Sequence, residues 1–163
     1  MTKRLILIRH AKSDWSSVAQ RDFDRPLNRR GHANAPEMAE RLVKQGIVPD
    51  LIVSSPALRA LTTATYFARA WNIAEQEMVL DKSIYEANVK DLLQVINGFD
   101  NTFSTIVLFG HNPGITDFVN YLTNAALDQM PTCGVVMLEM EVNDWAMVSM
   151  ATGRVLLFDY PKS

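Results

Sequence analysis

The sequence predicts an α/β domain, with a largely parallel sheet covered by helices on both faces. Three observations predict it. Short, continuous apolar runs bounded by turn residues read as strands buried on both sides. Helical patterns with recognisable caps lie between those runs, the alternation that parallel strands require. Two strand-like segments then lie near the end of the 163 residues.

The first strand is Arg4–Ile8, whose four bulky apolar residues run straight into Arg9 and His10. Asn28 suits the N-cap of a helix reaching about Gln45 and closed by Gly46. Pro36 is expected to kink that helix or to shift its start. Leu51–Ser54 is the second strand, and Ser55-Pro56 reads as the N-cap and first-turn pair of a helix to about Trp71. After the short apolar stretch Val79–Leu80, Asn88 caps VKDLLQVIN, which Gly98 ends. Thr105–Phe109 is the third long strand and Gly114–Leu122 the fourth helix. Val135–Val142 and Arg154–Tyr160 alternate or run apolar as strands do. No repeat, low-complexity tract or linker interrupts this order, so we expect a single domain over residues 1–163, long enough to bury a core without disulfides or metals.

Composition narrows the function classes. No apolar run approaches the ~18 residues of a membrane span, and Leu5–Ile8 is too short for the apolar segment of a secretory leader. The lone cysteine, Cys133, excludes an internal disulfide and fits a reducing compartment, so a cytoplasmic protein is expected. A net charge of −2 gives no reason to expect nucleic acid as a partner. The charge is unevenly spread, however. Residues 1–69 hold 12 Lys and Arg against 6 Asp and Glu, and residues 70–163 hold 4 against 12. A solvated basic surface and an anion site built from the first half explain this equally well.

The strand ends separate the two. LILIRH ends in Arg9 and His10, LIVSSPALRA carries Arg59 one turn into its helix, and IVLFGHNPG carries His111 in a glycine-flanked turn. Ligands of open α/β sheets bind beyond the carboxyl ends of the strands. If the three strands are neighbours, two arginines and two histidines converge there. Arg59 in a first helical turn opposes the helix dipole, and an anion would relieve that repulsion. Paired guanidiniums suit phosphoryl oxygens because each offers planar, paired donors. Singly, each of these residues reads more simply as structural, and His32, within a helix, is taken as structural throughout.

Such groups permit nucleophilic phosphoryl transfer. A neutral imidazole attacks phosphorus without a separate base, while arginines hold the non-bridging oxygens. A second histidine can donate to the same oxygens and a carboxylic acid can protonate the leaving group. Competing chemistries lack their parts. Cys133 has Glu139, not arginine, six positions on; Asp22-Phe23-Asp24 follows no strand; no P-loop occurs; and His10, His32 and His111 lack compact metal-ligand spacing.

Arg9-His10-Ala11, Ser54-Ser55-Pro56 with Arg59-Ala60, and Gly110-His111-Asn112-Pro113-Gly114 resemble the histidine phosphatase superfamily, also called phosphoglycerate mutase-like. RHAKSDW, RPLNRRG and GHNPGIT look like its SixA-type phosphohistidine phosphatases. The resemblance implies a three-layer α/β/α sandwich with a mostly parallel mixed sheet, no metal and no organic cofactor. It implies His10 as the phosphorylated nucleophile, with Arg9, Arg59 and His111 completing the phosphate pocket. Glu86, in IYEAN, matches the position where many members carry a general acid, which would need partial burial to stay protonated. Arg25 would shape the mouth or pair with Asp22 or Asp24. The family's usual glycine after the histidine is Ala11 here, whose methyl group is expected to bear on the loop's approach to substrate. The implied partner is a phosphorylated protein (phosphohistidine) or a small phosphomonoester, with no nucleic acid and no membrane. A small-molecule phosphomonoesterase and a non-catalytic phosphoprotein-binding module are the alternatives. Only short connections, 86–105 and 120–132, are available to roof the site, so an open mouth is expected.

Overall fold

A computed structural model describes residues 2–16 and 20–162. Six strands, β1 (Lys3–Arg9), β2 (Leu51–Ser54), β3 (Val79–Leu80), β4 (Thr105–Gly110), β5 (Val135–Met140) and β6 (Gly153–Asp159), form one sheet in the order β3-β2-β4-β1-β5-β6. β3, β2, β4 and β1 run parallel, whereas β5 is antiparallel to β1 and β6 to β5. The helices are α1 (Arg29–Lys44), α2 (Leu58–Ala70), α3 (Val89–Asn97) and α4 (Gly114–Leu122). The sheet is therefore mixed and mostly parallel.

Its two faces carry separate cores. Ile6 and Ile8 of β1 with Val107 and Phe109 of β4 pack on Met38, Leu42 and Phe67 of α1 and α2. Leu5 and Leu7 with Ile106 and Leu108 pack on Leu92, Ile96 and Phe118 of α3 and α4. Side chains alternate between faces along a strand, so a strand covered on both sides must be apolar at every position. That is the physical reason for the LILI run. Each of those four residues is fully buried, a transfer worth roughly 1.5–3 kcal/mol apiece. The tip of β1 is thus fixed at the centre of the domain.

Most expected caps are present. The Asn28 side chain accepts from the Gly31 amide at 2.9 Å, and Asn88 forms a reciprocal capping box with Asp91. α1 continues through Pro36 without a shifted start. At α2 the expectation fails: the N-cap is Ala57, and helix begins at Leu58. The Ser55 hydroxyl accepts from the Ala57 amide at 3.2 Å but lies before the helix, where it serves another residue. Arg59 remains in the first turn. β5 ends two residues before Val142, and β6 is shifted by one residue relative to Arg154–Tyr160.

Two glycines set close approaches that place the loops near the sheet's carboxyl edge. A Cβ at Gly31 would overlap the carbonyl of Lys12, and one at Gly114 would overlap that of Ala87. RPLNRRG thus needs its glycine because the segment after His10 lies directly on the first turn of α1.

Candidate active site

β2, β4 and β1 are adjacent, so their three tips meet at the carboxyl edge. Backbone bonds extend the sheet into the site: the His10 amide donates to Gly110 at 3.1 Å, the Ser55 amide to Phe109 at 3.0 Å and the Cys133 amide to His10 at 3.0 Å. A cavity of about 530 Å³ opens there, lined among others by Arg9, His10, Arg25, Arg59 and His111. Lys12 also lines it, so four of the twelve basic residues of the first half face this mouth.

His10 Nδ1 lies 2.7 Å from the Ala11 carbonyl. A carbonyl only accepts, so Nδ1 carries the proton and Nε2 keeps a free lone pair. Burial, reinforced by His111, Arg59 and Arg9, pulls the His10 pKa down to about 3 against the opposing Ala11 bond. The His111 ring, 5.2 Å away between centroids, is lowered to about 4, first by burial and then by Arg59, with Asp22 opposing. Both rings are neutral at pH 7. Histidine in an unfolded chain titrates near 6.5, so below that pH the unfolded state binds more protons than the native one. The stabilisation is full above pH 6.5 and declines as the pH falls toward these lowered values. In a nuclear magnetic resonance titration, neither ring should show an inflection between pH 7.5 and 5. An inflection near 6.5 at either ring would refute the burial argument.

The arginines are held individually. Arg9 Nη1 donates to the Met130 carbonyl at 2.9 Å, which also accepts from Asn112 Nδ2 at 3.0 Å. Thr116 Oγ1 ties the same segment down, donating to Asn112 Oδ1 at 2.6 Å and accepting from the Met130 amide at 2.9 Å. Burial, and next Arg59, lowers the Arg9 pKa; arginine stays charged even so. Arg59 donates to the Asp22 carbonyl at 2.7 Å and to Asp22 Oδ2 at 3.0 Å. Arg25 donates to Asp22 Oδ1 at 3.0 Å and to Ser13, with its guanidinium 3.5 Å from the Trp15 ring centroid. The Asp22 carboxylate also accepts from the Tyr85 hydroxyl at 2.7 Å. That bond, with those from Arg25 and Arg59 and the Arg59 charge, holds its carboxyl well below the usual carboxylate range.

Four buried side-chain nitrogens among the described residues lack any hydrogen-bond partner: Arg9 Nε, Arg25 Nε, Arg59 Nε and His111 Nδ1. All four belong to residues lining this one cavity. Buried polar nitrogens are ordinarily satisfied, so unpaired ones concentrated on residues that line one cavity with His10 fit a multivalent oxyanion.

The structure thus brings Arg9, His10, Arg59 and His111 together and adds Arg25, for which both expectations hold, the mouth and the ion pair with Asp22. Glu86 is not with them. It lines an adjoining cavity of about 450 Å³ with Asp22, Arg59, Tyr85 and His111. The partial burial expected of it is not found: the chain turns there at φ 58°, and the side chain is exposed. Ala11 packs in the core with Leu27 and Ala35 and does not line the cavity. Its methyl therefore does not face substrate. His32 is exposed and bonds Tyr66 at 2.8 Å, a structural role. Cys133 is buried, and that burial pushes its thiol up to about 12, far from a thiolate nucleophile. Among the described residues, no group of three or more His, Cys, Asp or Glu could hold a metal, and no helix is long and apolar enough to cross a membrane. The sequence points to Asp22 only as an ion-pair partner of Arg25 and to Ser55 only as a cap and part of the Ser54-Ser55-Pro56 motif, and it gives no role to Tyr85.

Residues 5–95 match the family model described as histidine phosphatase superfamily, branch 1. The chain is 33% identical over 153 residues to an uncharacterized chloroplastic protein of Arabidopsis thaliana, covering 89% of this chain and 70% of that one. It is 31% identical over 93 residues to a 2,3-bisphosphoglycerate-dependent phosphoglycerate mutase of Bifidobacterium longum, covering 53% of this chain but only 38% of the mutase. Among solved structures it resembles a protein described as a phosphohistidine phosphatase SixA from Agrobacterium tumefaciens, with TM-score 0.83, 28% identity and coverage of 99% and 100% of the two chains. A protein histidine phosphatase SixA complexed with tungstate shares the fold at TM-score 0.81 and 18% identity, over 96% of each chain.

Proposed function

The chain belongs to branch 1 of the histidine phosphatase superfamily, a group of phosphatases and mutases, and on that premise we propose that it is a metal-independent phosphatase acting on phosphohistidine in a partner protein. The observation that carries the reading is the set of four unpaired buried nitrogens on residues that line one cavity with His10, whose Nε2 is bare. In the reaction, the Nε2 lone pair attacks phosphorus and the bond from phosphorus to the leaving group breaks, its electron pair going to the leaving nitrogen, which takes a proton from solvent. Arg9, Arg25, Arg59 and His111 hold the three non-bridging oxygens and offset their charge as the transition state forms. Water then attacks phosphorus, the P–Nε2 bond breaks, and inorganic phosphate leaves with the His10 lone pair restored. Because burial keeps His10 neutral, the lone pair is available over the whole physiological range.

A protein-borne substrate is supported by the rim. Trp15, which lines the cavity, is 75% exposed, and the 86–105 connection holds only α3 and short turns. A side chain presented by another protein can enter such a mouth, and a phosphohistidine needs little help in leaving because its P–N bond is labile. Glu86 sits on the exposed rim of the adjoining cavity, where a bound substrate would have to bury it before it could protonate a basic leaving group. That adjoining cavity favours a second reading, in which a small phosphomonoester lays its alcohol part beside Tyr85. The buried single cysteine suits a reducing cytoplasm. One panel decides: purified protein assayed with a phosphohistidine protein, a sugar phosphate and an aryl phosphate, with chelator present. The phosphohistidine protein should give the highest kcat/KM, and chelation should change nothing. A sugar phosphate turning over faster, or turnover lost to the chelator and regained with a divalent ion, would overturn the respective part.

A further inference from the structure

Ser55 is fully buried between β2 and α2, and its hydroxyl lies 2.7 Å from His111 Nε2. The same oxygen accepts the Ala57 amide at 3.2 Å. The hydroxyl has one hydrogen to give, and His111 Nε2 is its recorded acceptor among the described residues. Two arrangements are conceivable. With the ring proton on Nε2, that nitrogen would donate to Ser55, the hydroxyl hydrogen would have no acceptor in a buried place, and Nδ1 would meet an anion with a bare lone pair. With Nε2 bare, it accepts the hydroxyl hydrogen, every bond around Ser55 is made, and Nδ1 carries the proton. Nδ1 is buried and has no partner on the protein, and with Nε2 engaged it is the ring nitrogen left for a ligand.

We propose that Ser55 is a positioning residue which, by donating to Nε2, locks His111 in the Nδ1–H tautomer and so makes this neutral ring a hydrogen-bond donor to the phosphoryl oxygens. The proposal rests on the phosphatase reading for the nature of the ligand; the tautomer follows from the hydrogen bonds of a neutral ring. Neutrality gives the device its importance. Since burial holds the His111 pKa near 4, the ring has a single N–H at pH 7, and its placement decides whether His111 attracts or repels an anion. His10 and His111 then share one tautomer for opposite tasks. The Ala11 carbonyl holds the proton of His10 away from substrate, leaving a lone pair there, whereas Ser55 fills the lone pair of His111 and leaves a proton.

The test begins on the wild-type protein free of phosphate, with ¹⁵N-labelled histidine. Long-range ¹H–¹⁵N correlation spectra at pH 7 should show His111 with Nδ1 protonated and Nε2 bare. In Ser55→Ala the tautomers should mix, and kcat for p-nitrophenyl phosphate and affinity for vanadate should each fall about 10- to 10²-fold, short of the ~10²–10³ that loss of a whole oxyanion donor costs. Ser55→Thr keeps the hydroxyl and should restore the tautomer and both quantities. A wild-type spectrum with Nε2 protonated, or a Ser55→Ala spectrum identical to wild type, overturns the proposal while leaving the phosphatase reading intact. The converse, the Nδ1–H tautomer in a protein that hydrolyses no phosphoester or phosphohistidine, would refute the phosphatase reading and leave the tautomer assignment standing.

Discussion

His10→Ala should abolish turnover, lowering kcat by at least about 10⁴-fold, in line with the ~10⁶ lost when a hydrolase loses its nucleophile. The reason is geometric. Nε2 of His10 is the one nucleophile at the three strand tips with a free lone pair, because Nδ1 is tied to the Ala11 carbonyl and Cys133 is buried with its thiol pushed up to about 12. The arginines remain in the variant, so inorganic phosphate should still bind. Quenching the wild type without acid during turnover of ³²P-labelled substrate should leave label on His10, and the phosphoramidate should be acid-labile and base-stable. A variant that keeps full activity, or label on another residue, would refute the covalent mechanism. A wild type that binds phosphate and never turns over any substrate would instead support the phosphoprotein-binding alternative.

Arg59→Ala should be the second most damaging change, reducing kcat/KM by about 10³-fold, within the range for a phosphoryl-transfer arginine. Arg59 sits in the first turn of α2, where its charge opposes the helix dipole. It is held there by Asp22 through the carbonyl at 2.7 Å and Oδ2 at 3.0 Å. Arg59→Lys should recover little. An ammonium supplies the charge without the planar fork that spans Asp22 and still presents Nε. Asp22→Asn separates the positioning from the charge: it weakens the tether while leaving Arg59 in place, and should cost much less than Arg59→Ala. If Arg59→Lys retains nearly all activity, the guanidinium geometry is irrelevant and the pocket as described is wrong.

The sequence is most informative where physics is local. A strand apolar at every position must be covered on both faces, so LILIRH announces both the central sheet and the place where the core stops. Asn28 and Asn88 cap as expected because a cap depends on three or four consecutive residues. Arg9, His10, Arg59 and His111 are legible as one group because each ends or follows a strand, and parallel strands deliver their ends to one edge. Ser55 is misread for a related reason. Its serine-proline context fits a cap, but a competing partner 56 residues away takes its hydroxyl.

By itself, then, the sequence determines the alternation of strands and helices, the polar ends of three strands and the histidine-arginine chemistry those ends can support. Only the tertiary structure decides which strands are neighbours, since β1 lies between β4 and β5 and no local pattern specifies that order. It alone brings Asp22 onto Arg59 across 37 positions and onto Tyr85 across 63. It leaves Glu86 on an exposed rim and turns the Ala11 methyl into the core. The physical reason is the range of the forces involved. Backbone propensity, capping and hydrophobic period act between residues a few positions apart and are written in consecutive letters. Burial, tautomer and the pairing of charges depend on what the folded chain packs against each group, and those partners are set by the sheet order.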